Sequence, residues 1–114
     1  MKYPINQTTL NTLGEKLNCP NIIFGYTSTS VLATLYSKSF YLANTEYVDV
    51  VVVFTTEKVY LYSNVPLDNI YKYKTTLEQE PDASSGKLFN LLIKNAQGVV
   101  YTPLGDFSEV INVE

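Results

Sequence analysis

The run Tyr47-Val48-Asp49-Val50-Val51-Val52-Val53-Phe54 is built from β-branched and aromatic residues and broken by a single carboxylate. Such side chains fit a pleated strand. Because successive side chains alternate between faces, apolar residues at both parities predict a central strand covered on both faces or nearly so. Left at an exposed edge, the same valines would template aggregation. This one segment therefore demands a layered fold around an interior strand.

Its neighbours supply the rest of a sheet. Ile22-Ile23-Phe24-Gly25-Tyr26, Val31 to Tyr36 and Val59-Tyr60-Leu61-Tyr62 read as further strands, consecutive and antiparallel, with Thr55-Thr56-Glu57-Lys58 as a polar hairpin turn lacking the usual Gly or Asn. Val99-Val100-Tyr101 reads as a last strand, and Phe107 to Val113 as a strand or docked tail within a C-terminal stretch spanning 98–114. Helical spacing appears three times. Leu10, Leu13 and Leu17 follow the capping candidates Asn6, Thr8 and Thr9, which predicts an N-terminal helix over 6–18. Gly14 lies inside it and costs about 1 kcal/mol relative to Ala, so the helix must be held by docking, across the domain or against another copy of the chain. Leu67, Ile70, Tyr73 or Lys74, and Leu77 mark a second helix opening after Val65-Pro66, and Leu88, Phe89, Leu92, Ile93 and Ala96 mark a third. The expected architecture is a single α+β domain: a mostly antiparallel sheet of about five strands, an N-terminal helix, and two C-terminal helices packed on one face.

Composition removes more functions than it suggests. Among 114 residues there are 11 acidic and 8 basic ones, and every basic residue is Lys. Without Arg there is no planar fork for bidentate phosphate contacts, and without His no side chain titrates near neutrality in its unperturbed state. Cys19 is the single cysteine, so neither an intrachain disulfide nor a thiolate zinc cage can form within one chain. We expect no catalytic residue, no metal and no cofactor, and a reducing, cytoplasmic setting. No stretch approaches the roughly 20 apolar residues that span a bilayer, so no membrane partner is expected either.

The remaining chemistry is sparse. Tyr60 and Tyr62 project on one strand face and could stack a planar ligand, or lie beneath helices as packing residues. Tyr71-Lys72-Tyr73-Lys74 interleaves rings and cations, but helical geometry turns successive residues away from one another, leaving a half-buried helix with solvated lysines. Ser84-Ser85-Gly86-Lys87 combines hydroxyls, a helix start and an ammonium, which suits an anion. N-capping explains the two serines equally. Glu78, Glu80 and Asp82 lack the Gly-centred loop of a calcium site. Asp49 is either a polar group pointing into a pocket, with general acid or base potential, or a carboxylate that faces solvent or pairs with a Lys.

Phe54, the Tyr60-x-Tyr62 pair, Val65-Pro66, and Ser84-Ser85-Gly86-Lys87-Leu88-Phe89-Asn90 followed by Ile93-Lys94 form an ordered pattern. It resembles the KTSC domain, named for the C-terminus of some lysyl-tRNA synthetases and found also as small stand-alone bacterial and phage proteins. The resemblance covers residues 28–95, and departs from the family pattern at Glu57-Lys58, where a turn Gly is usual, and at Leu88, where an aromatic is. It implies a small α+β fold, and RNA binding has been proposed for the family. Together these readings predict a non-enzymatic binding protein, expected to form a homo-oligomer, with a site at Tyr60, Tyr62, Ser84, Ser85, Gly86, Lys87 and Asn90. The ligand would be nucleotide-like, phosphate-bearing or a single-stranded nucleic acid. The competing expectations are a phage-type module that binds or inhibits a host protein, and a purely structural oligomer.

Overall fold

The computed structural model describes residues 4–24, 31–80 and 85–112. Gly25, Tyr26, Pro81, Asp82, Ser84 and Val113 lie outside the described residues. Among those described, six strands form one antiparallel sheet: β1 (Asn21–Phe24), β2 (Val31–Tyr36), β3 (Phe40–Leu42), β4 (Thr45–Phe54), β5 (Lys58–Pro66) and β6 (Val100–Asp106). Their order is β1-β2-β4-β5-β6, with β3 pairing to β4. The valine run is the interior strand its composition demands. Val48, Val50 and Val52 face one core, Val51 and Val53 the other, and all five are fully buried.

Helices cover both faces. On the first lie α2 (Leu67–Gln79), the short α3 (Ser85–Phe89) and a π-helical turn at Asn90–Lys94, burying Ile70, Tyr73, Phe89 and Ile93 against Val50 and Val52. Thr34 and Tyr73 share a buried hydrogen bond of 3.1 Å that ties α2 to β2. On the second face lie α1 (Gln7–Lys16) and α4 (Phe107–Asn112), burying Leu10, Leu13, Phe107 and Val110. The N-terminal helix thus docks on its own sheet. The segment after Phe107, read from sequence as a strand or tail, is helical because Phe107 and Val110 sit three apart and both enter the core.

Local chemistry fixes the ends. Asn6 Oδ1 accepts from the Thr9 N–H at 3.0 Å and Thr9 Oγ1 from the Asn6 N–H at 3.0 Å, a reciprocal cap at the start of α1. Asn18, with φ 59°, turns the chain out of α1 in the left-handed region that Asn tolerates. Gly14 is there for space: a Cβ on it would lie 2.5 Å from the Cys19 carbonyl oxygen. The β4–β5 turn closes without Gly because Glu57 itself takes φ 69°, its N–H donating to Phe54 O at 2.9 Å. Asp49 occupies an irregularity where β2 gives way to β3. The Ser37 Oγ accepts its N–H at 2.8 Å and the Ser37 N–H donates to its carbonyl at 2.9 Å, so the break leaves neither backbone group unpaired.

Candidate ligand-binding site

Alternation along β5 sets Lys58, Tyr60 and Tyr62 on the face that carries α2 and α3. Antiparallel pairing then places Tyr101 of β6 directly opposite Tyr62. Three tyrosine rings gather as a result. Tyr60 lies 6.2 Å from Tyr101 with the planes 11° apart and 6.4 Å from Tyr62 at 23°, and Tyr62 lies 6.1 Å from Tyr101. Phe89 meets Tyr62 edge-on at 5.2 Å and Phe54 at 5.4 Å, while Phe54 meets Tyr60 edge-on at 5.5 Å. Edge-to-face contacts of this kind are the favoured aromatic geometry, and they hold the array from beneath. Tyr62 is buried under Phe89 and serves the core, Tyr60 is half-buried, and Tyr101 is 63% exposed. The tyrosine pair read from sequence therefore divides its labour. Tyr62 packs, and Tyr60 with Tyr101 presents ring surface.

These rings line an open cleft of about 530 Å³ whose far side is the π-helical turn, contributing Asn90, Lys94 and Asn95. The winding matters. A π turn closes one residue later than an α turn, and here the Asn95 N–H donates to the Asn90 carbonyl at 3.0 Å. Residue i+5 thereby comes to lie over residue i. Asn95 joins Asn90 and Lys94 on the cleft side, whereas Phe89 and Ile93, one position earlier, share the buried side. In α-helical winding Asn95 would be turned well away from Asn90.

The electrostatics are one-sided. Among the described residues no carboxylate lines the cleft, and two ammonium groups do. Lys58 is engaged by Asp106 at 2.6 Å, a hydrogen bond that raises its pKa and keeps it charged. Lys94 has no ion pair among the described residues. Burial, and then the neighbouring Tyr60 and Tyr101, push the Tyr62 hydroxyl up to about 12, so it stays neutral at any ordinary pH. In an acidic protein this cleft is a local exception that suits an anionic ligand with a flat ring.

Of the residues expected from sequence, Tyr60, Tyr62, Gly86 and Asn90 come together in the cleft. Lys87 is exposed and does not line it, Ser84 lies outside the described residues, and Ser85 opens a helix of only five residues. Lys58, Lys94, Asn95 and Tyr101 were not anticipated. Cross-strand pairing with Tyr62 is the signal that could have found Tyr101; nothing in a 3.6-residue periodicity marks a π turn.

A second cleft, of about 590 Å³, lies beyond the end of α1 and holds Glu15, Asn18, Lys38, Phe40 and Asp49. Asp49 thus opens onto a pocket of mixed charge. Cys19 beside it is buried, and desolvation followed by the Asp49 charge pushes its thiol up to about 12. A thiol held neutral in this way is a poor nucleophile. Among the described residues no group of three or more His, Cys, Asp and Glu side chains could hold a metal ion, and no helix is long and apolar enough to cross a membrane. In comparisons with known proteins, no family model, no curated protein and no solved structure matches the chain.

Proposed function

We propose that the protein is a non-enzymatic binding protein whose ligand is a nucleotide or a nucleotide unit of a single-stranded nucleic acid, held in the tyrosine cleft. One observation carries this reading: exposed tyrosine surface faces two amides and a lysine across a cleft that no carboxylate lines among the described residues. Rings supply stacking, which is tolerant of base identity. Lys94 supplies charge for phosphate, the role that the sequence had assigned to Lys87. The motif resemblance to the KTSC domain supports the same reading. The buried, neutral Cys19 and the lack of His support a protein without catalysis.

Titration calorimetry with mononucleotides and short single strands tests it, preceded by native mass spectrometry of the protein as purified, which reports retained ligand and oligomeric state together. Base–aromatic stacking contributes about 1–3 kcal/mol per base, so Tyr101→Ala is expected to weaken binding by roughly 5- to 150-fold without unfolding the chain. Unchanged affinity in that variant would place the site elsewhere.

A protein partner is the second reading. It is favoured by the β3–β4 hairpin, where Phe40 stacks on Tyr47 at 6.2 Å and Tyr41 is 73% exposed. Aromatic residues of this kind are enriched at interface hot spots. Tyr41→Ala would then abolish capture of the partner and leave nucleotide binding intact.

A further inference from the structure

On the reading of the tyrosine cleft as the nucleotide site, we infer that the Tyr62 hydroxyl donates a hydrogen bond to a phosphate oxygen of the bound nucleotide, its ring serving the core and its oxygen the ligand. Tyr62 is the most enclosed of the three tyrosines, only 4% exposed, yet it lines the cleft. Tyr60, Tyr101 and Phe89 surround its ring. Among the described residues its hydroxyl meets no hydrogen-bond partner. That is unusual, because buried tyrosine hydroxyls generally find one. Tyr73, in the same core, shares its hydroxyl with Thr34 at 3.1 Å. A phenol oxygen lies on the axis of its ring, so the packing that fixes the ring fixes the oxygen too. The unused group is held in place at the wall of the cleft.

The acceptor that suits it is an oxyanion. Burial disfavours the charged form of the Tyr62 hydroxyl, so it keeps a proton to give. No carboxylate lines the cleft among the described residues to take up that proton first. Lys94, in the same lining, brings the positive charge that a phosphate needs and a neutral acceptor does not. Hydrogen bonds to an ionised oxygen are roughly twice as strong as neutral ones, which makes a phosphate the acceptor that best offsets desolvation of the phenol. Tyr62 and Lys94 then act on one group as donor and countercharge, while Tyr60 and Tyr101 carry the base.

Tyr62→Phe in the full-length protein tests this, since it deletes the hydroxyl and keeps the ring. Wild type and variant are titrated with AMP, adenosine, ribose 5-phosphate and a short single strand lacking terminal phosphates, and both are unfolded in urea. The variant is expected to bind AMP and ribose 5-phosphate roughly 10- to 100-fold more weakly, the range of one hydrogen bond to a charged group. Adenosine is expected to bind both proteins alike. The urea midpoint is expected to stay level or rise, because the group removed was buried without a partner. A strand weakened by the same factor as AMP identifies the phosphodiester as the group recognised; a strand left unaffected while AMP weakens identifies the terminal phosphate of a free nucleotide. Unchanged AMP affinity in the variant, equal weakening of AMP and adenosine, or a lowered urea midpoint overturns the role of the hydroxyl while leaving the cleft as a nucleotide site. Failure of the wild-type protein to bind any of these ligands removes the underlying reading itself.

Discussion

Gly14 shows how a residue can look like a defect in the sequence and be a requirement in the fold. Helix propensity alone credits Gly→Ala with about 1 kcal/mol of stabilisation. The Cβ would meet backbone, the Cys19 carbonyl oxygen at 2.5 Å, and a backbone oxygen cannot rotate aside. Gly14→Ala is therefore expected to destabilise the protein by about 1–3 kcal/mol, the usual cost of overpacking, read as a lowered urea midpoint. Cys19 carries a prediction of its own. Its thiol is raised from 9.0 to about 12, and the Tyr62 hydroxyl from 10.0 to about 12. A native pKa above the unfolded one means that the unfolded state ionises first as pH rises. The contribution of Cys19 is then complete below pH 9, and that of Tyr62 below pH 10. Both are lost progressively as pH approaches 12. Urea midpoints measured at pH 8, 9, 10 and 11 are expected to fall across this window, and Cys19→Ala to flatten its lower part. The native thiol is expected to resist disulfide-exchange reagents at pH 8 and to react on unfolding. Asp49 was legible as an interruption, but the pairing of its backbone N–H and carbonyl with Ser37 at the β2–β3 break was not.

Among the elements, β4 was the most legible because its pattern admits one environment, and the fold class followed from it. The helices were harder to assign to faces. Spacing identifies which residues a helix buries but not which side of a sheet receives them, so α1 and α4 on the second face had to be seen. The π turn was invisible for a different reason, since its extra residue shifts the periodicity by which helices are read. Its exposed Leu91, at 70%, is an apolar residue that the widened turn leaves in solvent. The tyrosines separate two roles by measurement. Tyr62→Ala removes a buried ring and is expected to cost about 3–5 kcal/mol of stability, as large aromatic truncations do, whereas Tyr101→Ala is expected to change the urea midpoint little and binding greatly. The tie between α2 and β2 gives a further test. Thr34→Val leaves the buried Tyr73 hydroxyl without that 3.1 Å partner, and is expected to cost about 1–2 kcal/mol. In the Thr34→Val/Tyr73→Phe double variant the loss is expected to be smaller than the sum of the singles, which a double-mutant cycle in urea would read.

At the scale of the whole molecule, a net charge of −3 sets the tone of any encounter with a polyanion. A single strand held mainly through Lys94 releases few counterions, and the plot of log affinity against log salt is expected to have a slope of about −0.7 per phosphate engaged. A value near −3 would mean that lysines outside the cleft, such as Lys72 and Lys74, are recruited. The sheet's last strand bears on a different property of the molecule. Among the described strands β6 pairs with β5 alone, and it carries Pro103 in its middle, with Gly105 at φ 114° two residues on. Proline has no N–H to offer an incoming strand. At this end the valine-rich sheet thus has a built-in terminator, which stops it from growing copy upon copy like a polymer. Pro103→Thr is expected to return a donor to that edge, and light scattering at high protein concentration would register the chain growth that the proline now prevents.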